Sequence, residues 1–328
     1  MENNLPKEFW DRVKEIYSAE DIEIIKKGFN TEKRATTFRV NTLKMTEAEA
    51  IEKLEQLKFE IEKVPYIDNC YKIVNNNGKR IADMSLFRKG HIYLQQITSQ
   101  IPVHFLDLKE WNKVLDATAA PWSKTSQIAM MLNNTGEIIA CDNNAIRVEK
   151  LNYTIARQGV LNTQVFKTDA RKLEVKLSEY LTAQGWTENE TYEYFDNILF
   201  DAPCTSEWRI NLTKEKSFGF WKEDIFKKHY RISKSILEKI IPLLKKGGTL
   251  VFSTCTLAPE ENEAAVHFIL SNYPELELVK MELDSPYARP GLKQFGKQHF
   301  RKEIVDTIRY LPSEENEGFY VAKFRKKA

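Results

Sequence analysis

Short β-rich runs alternate with helical runs from residue 113 onward, and this alternation constrains the fold more than any other feature of the chain. The five predicted strands are residues 113–117, 137–141, 164–168, 197–200 and 249–253. Alternation at this spacing is typical of βαβ units, in which helices cover both faces of a parallel sheet. Two later β-rich runs, residues 276–281 and 319–324, are predicted to close the sheet as an antiparallel pair. We therefore predict an α/β fold.

The residues before this alternation predict a second, smaller unit. Apolar residues at helical spacing over 5–29 indicate one or two short amphipathic helices. A β-rich run at 35–43 and helical spacing at 46–57 then predict a small α+β unit. A turn signal, NNNG at 75–78, places the boundary near residues 83–91. The predicted domains are 1–88 and 89–328.

Composition argues against a disordered or fibrous protein. With 328 residues, 42% hydrophobic and 29% charged, the chain has the balance of an ordinary globular protein. Lys and Arg (49) nearly cancel Asp and Glu (47), and the net charge of +2 gives no whole-molecule argument for a polyanionic partner. A nucleic-acid surface must then be a local patch. The basic stretches at 293–302 and 323–327 are candidates, although a solvated face is the simpler interpretation of each.

Location and metal content are predicted from what the sequence lacks. The first ten residues show no secretory signal, and no later run approaches the ~20 apolar residues of a membrane span. A cytoplasmic protein without a membrane partner is expected, and a monomer is the default. Four widely spaced cysteines without a Cys-x-x-Cys pair argue against a zinc or other metal site and against structural disulfides.

Polar residues follow the predicted strands at the edge where ligands bind in open parallel sheets. The loop 116–125 (DATAAPWSKT) leads into a predicted helix at 126–132, whose amino terminus could line a cofactor. Asp142 and Asp169 end the next two strands, and a carboxylate there can accept hydrogen bonds from ribose hydroxyls. A single such aspartate is ordinarily a cap or turn residue, but three in equivalent positions favour a site. The loop lacks Gly-x-Gly-x-x-Gly, which argues against a dinucleotide dehydrogenase.

Two cysteines follow the fourth and fifth predicted strands. Cys204 closes the run DAPC, and Cys255 lies in STCT. Because neighbouring strands lie about 5 Å apart, we expect both thiols to face one pocket. Cys70 and Cys141 are predicted to be buried and inert.

Five motifs in order along the chain resemble the NSUN-type (Sun and nucleolar-protein, RsmB/Nop-like) RNA cytosine-5 methyltransferases. The motifs are RVNTLK at 39–44, AAPWSKT at 119–125, DAPC at 201–204, STCTLAPEENE at 253–263 and GFYVA at 318–322. The resemblance implies a Rossmann-like class I methyltransferase domain with a mainly parallel seven-stranded sheet. It also implies a small amino-terminal α+β domain similar to RNA-recognition domains, and the formation of 5-methylcytosine in rRNA or tRNA.

The resemblance also implies roles for individual residues. Asp142 would hold the ribose of S-adenosylmethionine, Asp169 its adenine side, and Arg147 is a further candidate for cofactor binding. Cys255 would be the nucleophile, Cys204 would assist product release, and Asp201 would contact the target base or the reacting end of the cofactor. The residues implied to hold the methionine end are Thr118, Ala119, Ala120, Pro121, Trp122, Ser123 and Lys124.

The chemistry of the base is compatible with these roles. Carbon 5 of cytosine is a poor nucleophile, so a thiolate adds first to carbon 6 and makes carbon 5 nucleophilic. The proton on carbon 5 must then leave, and either the second cysteine or the aspartate could take part. The target cytosine must be single-stranded, looped or flipped out, because a stacked base is inaccessible.

The chain departs from the family in two loops. Trp122 stands where the family has glycine, and a tryptophan there is expected to weaken cofactor binding. Thr205-Ser206 replaces Ser-Gly, which is expected to alter loop closure, and nearby Arg209 is either a phosphate contact or a plain surface charge. Two alternatives remain: a non-catalytic RNA-binding or ribosome-assembly factor, and a DNA methyltransferase with Cys204 as nucleophile.

Overall fold

The computed structural model describes residues 5–120, 123–186, 191–219 and 221–328. The chain forms two compact units, and each is assembled from three segments that are not contiguous in sequence. The first unit comprises Met1–Arg34, Ala202–Ser235 and Phe252–Arg325, and the second comprises Ala35–Asp201, Ile236–Val251 and Lys326–Ala328. The predicted domain boundary between residues 88 and 89 stays a prediction.

The helices and strands follow in chain order. Up to residue 142 they are α1 Lys7–Ile16, α2 Ala19–Asn30, β1 Thr36–Val40, α3 Glu47–Gln56, β2 Glu60–Lys63, β3 Cys70–Asn75, α4 Ser85–Arg88, β4 Ile92–Leu94, α5 Ile97–His104, β5 Lys113–Asp116, α6 Ser123–Met131 and β6 Glu137–Asp142. The remainder are α7 Ala145–Gln158, β7 Thr163–Lys167, α8 Leu173–Thr182, β8 Phe195–Asp201, α9 Asp224–Ile240, β9 Leu244–Thr254, α10 Glu263–Asn272, β10 Leu276–Leu278, β11 Ala288–Pro290, β12 Gln294–Phe295, β13 Gln298–His299, β14 Ile308–Tyr310 and β15 Phe319–Lys326.

The first unit begins with the two predicted amphipathic helices, which are confirmed. Ser18 is the N-cap at which α2 begins, because its side chain accepts a hydrogen bond from the backbone N–H of Asp21. Phe9 in α1 and Phe29 in α2 are almost fully buried, and both belong to a core that also contains Trp208. Residues nearly 200 positions apart in sequence therefore share one core.

The second unit contains the predicted small α+β element. Its sheet has the order β2-β3-β1-β4, with antiparallel pairs throughout. Helix α3 starts with a complete capping box, in which Thr46 and Glu49 satisfy each other's backbone N–H groups. Phe38, Leu54 and Ile92 form part of the core of this element.

The large sheet has the order β11-β14-β15-β9-β8-β5-β6-β7, and β10 pairs with β15. Strand β5 is parallel to β6 and β8, and β6 is parallel to β7, which confirms the predicted α/β class. Strand β9 belongs to the second unit up to Val251 and to the first from Phe252. The prediction of seven strands was two short. Strands β11 and β14 have three residues each, too few to show the two-residue period of a strand.

Within the described ranges, no helix combines the length and apolar character that crossing a bilayer requires.

Candidate active site

Carboxylates stand at the ends of neighbouring strands in the second unit. Asp116 ends β5, Asp142 ends β6 and Asp201 ends β8, while Asp169 follows β7 by two residues. Because β5 is parallel to β6 and β8, and β6 to β7, all four lie toward the same edge of the sheet. This edge is where the sequence predicts the cofactor.

Asp116 is the most buried of the four, with 1% of its surface exposed. Its carboxylate accepts a hydrogen bond from Thr125 Oγ1 at 2.7 Å. Burial raises the pKa of Asp116 to about 7, only partly opposed by the hydrogen bond from Thr125. This aspartate fastens the start of α6 to the end of β5.

Lys124 and Asp201 form an ion pair that the sequence did not reveal. Lys124 Nζ lies 2.7 Å from Asp201 Oδ2 and 3.2 Å from Ser99 Oγ. Thr118 Oγ1 also donates to the carbonyl oxygen of Asp201 at 2.8 Å. Ser123 Oγ lies 3.3 Å from Ser99 Oγ. The loop 118–124 is thereby tied to the end of β8; Pro121 and Trp122 lie outside the described residues.

Asp142, Arg147 and the loop form a second set of contacts. Arg147 Nη2 lies 3.2 Å from Asp142 Oδ2 and donates to the carbonyl oxygen of Ala120. The backbone N–H of Ala119 donates to Cys141 O at 2.9 Å. Asp142 also accepts the N–H of Asn144 at 2.9 Å. These bonds hold the carboxylate at the strand end, where the sequence placed a ribose ligand.

Asp169 is occupied by its own loop. Its carboxylate accepts the N–H of Arg171 at 2.9 Å and pairs with the guanidinium of Arg171 at 2.5 Å. The hydrogen bonds from Arg171 lower the pKa of Asp169. Asp169 therefore makes the local bonds of a turn residue, and its predicted contact with adenine stays a prediction.

Cys204 and Cys255 lie together in the first unit, and their predicted proximity is confirmed. Their sulfur atoms are 3.2 Å apart, and the backbone N–H of Cys255 donates to Cys204 Sγ at 3.3 Å. Both side chains are partly exposed. The hydrogen bond with Cys255, and then burial, raises the pKa of the Cys204 thiol well above its ordinary value. The two sulfur atoms are close enough to share a proton between them.

The other two cysteines differ in environment. Cys70 and Cys141 are fully buried, as predicted, and all four cysteines are free thiols. Burial raises the pKa of Cys70 to about 12 and also raises the pKa of Cys141. A buried neutral thiol is a poor nucleophile.

Asn262 fixes the backbone on both sides of Cys255. Its Oδ1 accepts a hydrogen bond from Thr254 Oγ1 at 2.5 Å, and its Nδ2 donates to Thr256 O at 2.9 Å. Asn262 is completely buried. The asparagine of the PEENE motif thus positions the turn that carries the candidate nucleophile.

Two buried glutamates are joined through threonine hydroxyls beside the cysteines. Glu261 accepts from Thr205 N–H at 3.1 Å and lies 2.6 Å from Thr205 Oγ1, which is 2.7 Å from Thr256 Oγ1. Thr256 Oγ1 lies 2.7 Å from Glu207 Oε2. Burial raises the pKa of Glu261 to about 8 and raises that of Glu207. Sequence inspection missed this network, although Glu261 lies in a motif that it singled out.

A cavity of about 510 Å³ opens at Cys204. The exposed Arg209 and Lys222 line it together with Trp221, so Arg209 is part of a cavity wall rather than an isolated surface charge. His229 also lines the cavity, with Nδ1 3.3 Å from the carbonyl oxygen of Pro203, and burial lowers its pKa. A cavity with cationic and aromatic walls beside two thiols suits an unstacked base and its phosphate.

Known proteins resemble this chain over most of its length. The family model "16S rRNA methyltransferase RsmB/F" matches residues 103–325, and "N-terminal domain of 16S rRNA methyltransferase RsmF" matches residues 5–97. A curated relative from Vibrio parahaemolyticus, "Ribosomal RNA small subunit methyltransferase F", is 30% identical over 88% of this chain. The chain covers 56% of that relative's length and 57% of a homonymous one from Shewanella piezotolerans, so it spans little more than half of them.

Other relatives match the chain more evenly. A "tRNA (cytosine(49)-C(5))-methyltransferase" from Pyrococcus abyssi is 34% identical, with 88% of each chain covered. The crystal structure of a methyltransferase homolog from Pyrococcus horikoshii is 30% identical, with a TM-score of 0.81 and coverage of 98% of this chain and 95% of that one. NSun6 from the same organism, solved with SFG, has a TM-score of 0.77, covers all of both chains and, at 22% identity, supports the fold. These matches show that the chain belongs to the RsmB/F family of 16S rRNA methyltransferases.

Proposed function

We propose that this protein is an S-adenosylmethionine-dependent RNA methyltransferase that forms 5-methylcytosine in rRNA or tRNA through a covalent cysteine adduct. The observation that carries the proposal is the pair of thiols 3.2 Å apart after two strand ends. The names of relatives that act on rRNA and on tRNA support the substrate class. They do not favour the DNA-directed alternative.

The cofactor pocket is proposed from the donor set at the sheet edge. Carboxylates accept hydrogen bonds from ribose hydroxyls and amino groups, and negative charge favours a sulfonium. Asp142 and the loop 118–124 would hold S-adenosylmethionine, with Arg147, Asp169 and Asp201 as further candidates. When bound, the cofactor supplies the methyl group that carbon 5 acquires.

The cysteines divide the covalent chemistry between them. The Cys255 thiolate forms a bond to carbon 6 of cytosine, and the electron pair displaced from the ring makes carbon 5 nucleophilic. After methylation, loss of the carbon-5 proton lets the carbon–sulfur bond break and returns the thiolate. Cys204, whose pKa is raised, would keep its proton while Cys255 is ionised and would assist release of the product.

The test is transfer of labelled methyl from S-adenosylmethionine to total RNA, followed by nucleoside analysis. We expect label in 5-methylcytosine from the wild type and none from Cys255→Ala. Cys204→Ser should slow release and accumulate a protein–RNA adduct that resists denaturation, whereas Cys255→Ser should form none. The reverse pattern would assign the nucleophile to Cys204 and contradict the proposal.

A second candidate is a binding factor with little or no catalysis, which Trp122 favours because the resembled family has glycine at that position. Calorimetry with S-adenosylmethionine separates the two. Measurable binding together with methyl transfer supports the enzyme. RNA binding without cofactor binding supports the binding factor, and Trp122→Gly should then restore the binding of S-adenosylmethionine.

The domain organisation stays part of the proposal, with an RNA-recognition-like domain at 1–88 and the methyltransferase domain at 89–328.

A further inference from the structure

A groove in the second unit, distinct from the thiol cavity of the first, combines aromatic rings with cations. Its volume is about 490 Å³. Helix α7 contributes Lys150, Tyr153 and Arg157, whose spacing of three and four residues puts them on one helix face. Phe87 of α4 and Tyr93 of β4 also line the groove.

The guanidinium of Arg157 lies among three rings. Its central carbon is 4.6 Å from the ring centre of Phe87, 5.6 Å from that of Tyr153 and 5.9 Å from that of Tyr93. Nε of Arg157 is buried without a hydrogen-bond partner among the described residues. Three rings thus surround this charge, and a guanidinium can in general stack on a base or donate to a phosphate.

Tyr153 is exposed at the edge of the groove. Two thirds (67%) of its surface is accessible, which is unusual for a large aromatic side chain. An exposed ring next to a guanidinium is the arrangement on which unpaired bases stack in single-strand binding proteins.

The charge around the groove is mainly positive. Lys44 Nζ donates to the carbonyl oxygens of Arg157 at 2.7 Å and of Lys89 at 3.1 Å, which brings one further cation near the groove. Burial, and then the charges of Lys53, Lys44 and Lys89, lower the pKa of the neighbouring His91. Glu149 is the acidic residue among those that line the groove. This excess of cations is complementary to a polyanion.

We propose that this groove binds a single-stranded segment of the RNA substrate, with one base stacked on Tyr153 and a phosphate beside Arg157. The inference rests on the proposed function for its choice of RNA. A duplex hides the faces of its bases, so the segment is a loop, a bulge or an end.

The test measures binding of a fluorescent single-stranded RNA of about 12 nucleotides by anisotropy. Tyr153→Ala should weaken binding by roughly 5- to 150-fold, the usual effect of losing one stacked base, and Tyr153→Phe should keep most of it. Arg157→Lys retains the charge but loses the planar fork, so it too should bind more weakly. The matched control is Tyr192→Ala, which removes another tyrosine of the second unit with 62% of its surface exposed; it should change binding less than twofold.

Unchanged affinity in a folded Tyr153→Ala protein would overturn the proposal and leave the groove to another occupant, such as a protein segment. Melting curves show whether each variant is folded. If Arg157→Lys is unstable, the test rests on Tyr153→Ala, because the Tyr153 side chain is exposed. Methyl transfer in the same samples separates the two hypotheses. Normal transfer with Tyr153-independent binding contradicts only the groove, whereas Tyr153-dependent binding without any transfer contradicts only the proposed reaction.

Discussion

At the scale of single residues, the loop after Cys204 adopts a conformation that suits glycine better than serine. Ser206 has φ 59° and ψ 31°, in the left-handed region. The resembled family tends to have glycine at this position, and the departure noted in the sequence therefore has a structural cost of about 1 kcal/mol. The Ser206 hydroxyl lies 3.4 Å from Cys255 Sγ, so the substitution also gives the candidate nucleophile a polar neighbour.

Ser206→Gly is expected to relieve this strain. Because glycine also loses more entropy on folding, the net gain in unfolding free energy should be small, up to about 1 kcal/mol. Ser235→Gly is the matched control, since Ser235 lies inside α9 and should lose about 1 kcal/mol. Urea unfolding measures both. A Ser206→Gly protein as destabilised as Ser235→Gly would contradict the strained conformation.

Glu261 predicts a pH dependence of stability. Its folded-state pKa of about 8 exceeds the ordinary 4.5, so the folded protein retains a proton that the unfolded chain releases. The stabilisation is complete below pH 4.5 and is lost as the pH rises to about 8, by up to about 1.4 kcal/mol per pH unit. In Glu261→Gln this slope should disappear.

Urea midpoints from pH 5 to 9 test the expectation. The wild type should lose stability relative to Glu261→Gln between pH 5 and about 8 and then level off, so that the difference between them is larger at pH 8 than at pH 5. Parallel curves would show that Glu261 is ionised throughout.

At the scale of elements, a fully buried ion pair joins the start of α10 to β14. Arg309 Nε and Nη2 lie 2.6 and 2.5 Å from the two oxygens of Glu263, and neither side chain is more than 1% exposed. Arg309 also donates to Leu257 O at 2.9 Å and to Tyr17 Oη at 2.8 Å. One guanidinium thus connects α10, β14, the segment after Cys255 and the end of α1.

Glu263→Gln should destabilise the protein by about 3 kcal/mol, because it leaves the Arg309 charge buried without a counterion. Glu303→Gln is the control: it removes the same kind of partner from Arg301, but on the surface. That change should cost no more than about 0.5 kcal/mol. Equal effects on the urea midpoint would contradict the importance of the buried pair.

At the scale of the whole molecule, the amino-terminal helices share a core with the segments that carry both candidate active-site cysteines. The ring centre of Phe29 is 6.3 Å from that of Trp208, which is fully buried four residues after Cys204. The backbone N–H of Trp208 donates to Cys255 O at 3.1 Å. The positions of the two thiols thus depend on residues at the far end of the chain.

Phe29→Ala should cost about 3–5 kcal/mol, as expected for a large aromatic side chain removed from a core. It should also speed alkylation of Cys204 and Cys255, because local opening of this unit becomes more frequent. Trp111→Ala is the control, since 74% of the Trp111 surface is exposed, and it should change neither quantity measurably. Unchanged thiol reactivity in Phe29→Ala would contradict the shared core.

The sequence was most informative where the signal is local. The βαβ alternation predicted all five strands from β5 to β9, since short loops and periodic apolar residues are read from neighbouring positions. The same alternation placed Asp116, Asp142 and Asp201 at strand ends, and adjacency of strands brought Cys204 and Cys255 together. The sequence did not predict strands β11 and β14, because these short segments become strands through pairing with their neighbours and not through a pattern in their own residues.

The tertiary structure alone decided which side chains meet. The ion pair of Lys124 with Asp201, the threonine links between Glu261 and Glu207, and the packing of Phe29 on Trp208 join residues separated by 49 or more positions. No periodicity in a sequence encodes such contacts, because they arise when distant elements are packed together. The sequence therefore determined the fold class, the strand ends and the candidate nucleophiles, whereas three-dimensional packing determined their partners, their burial and hence their pKa values.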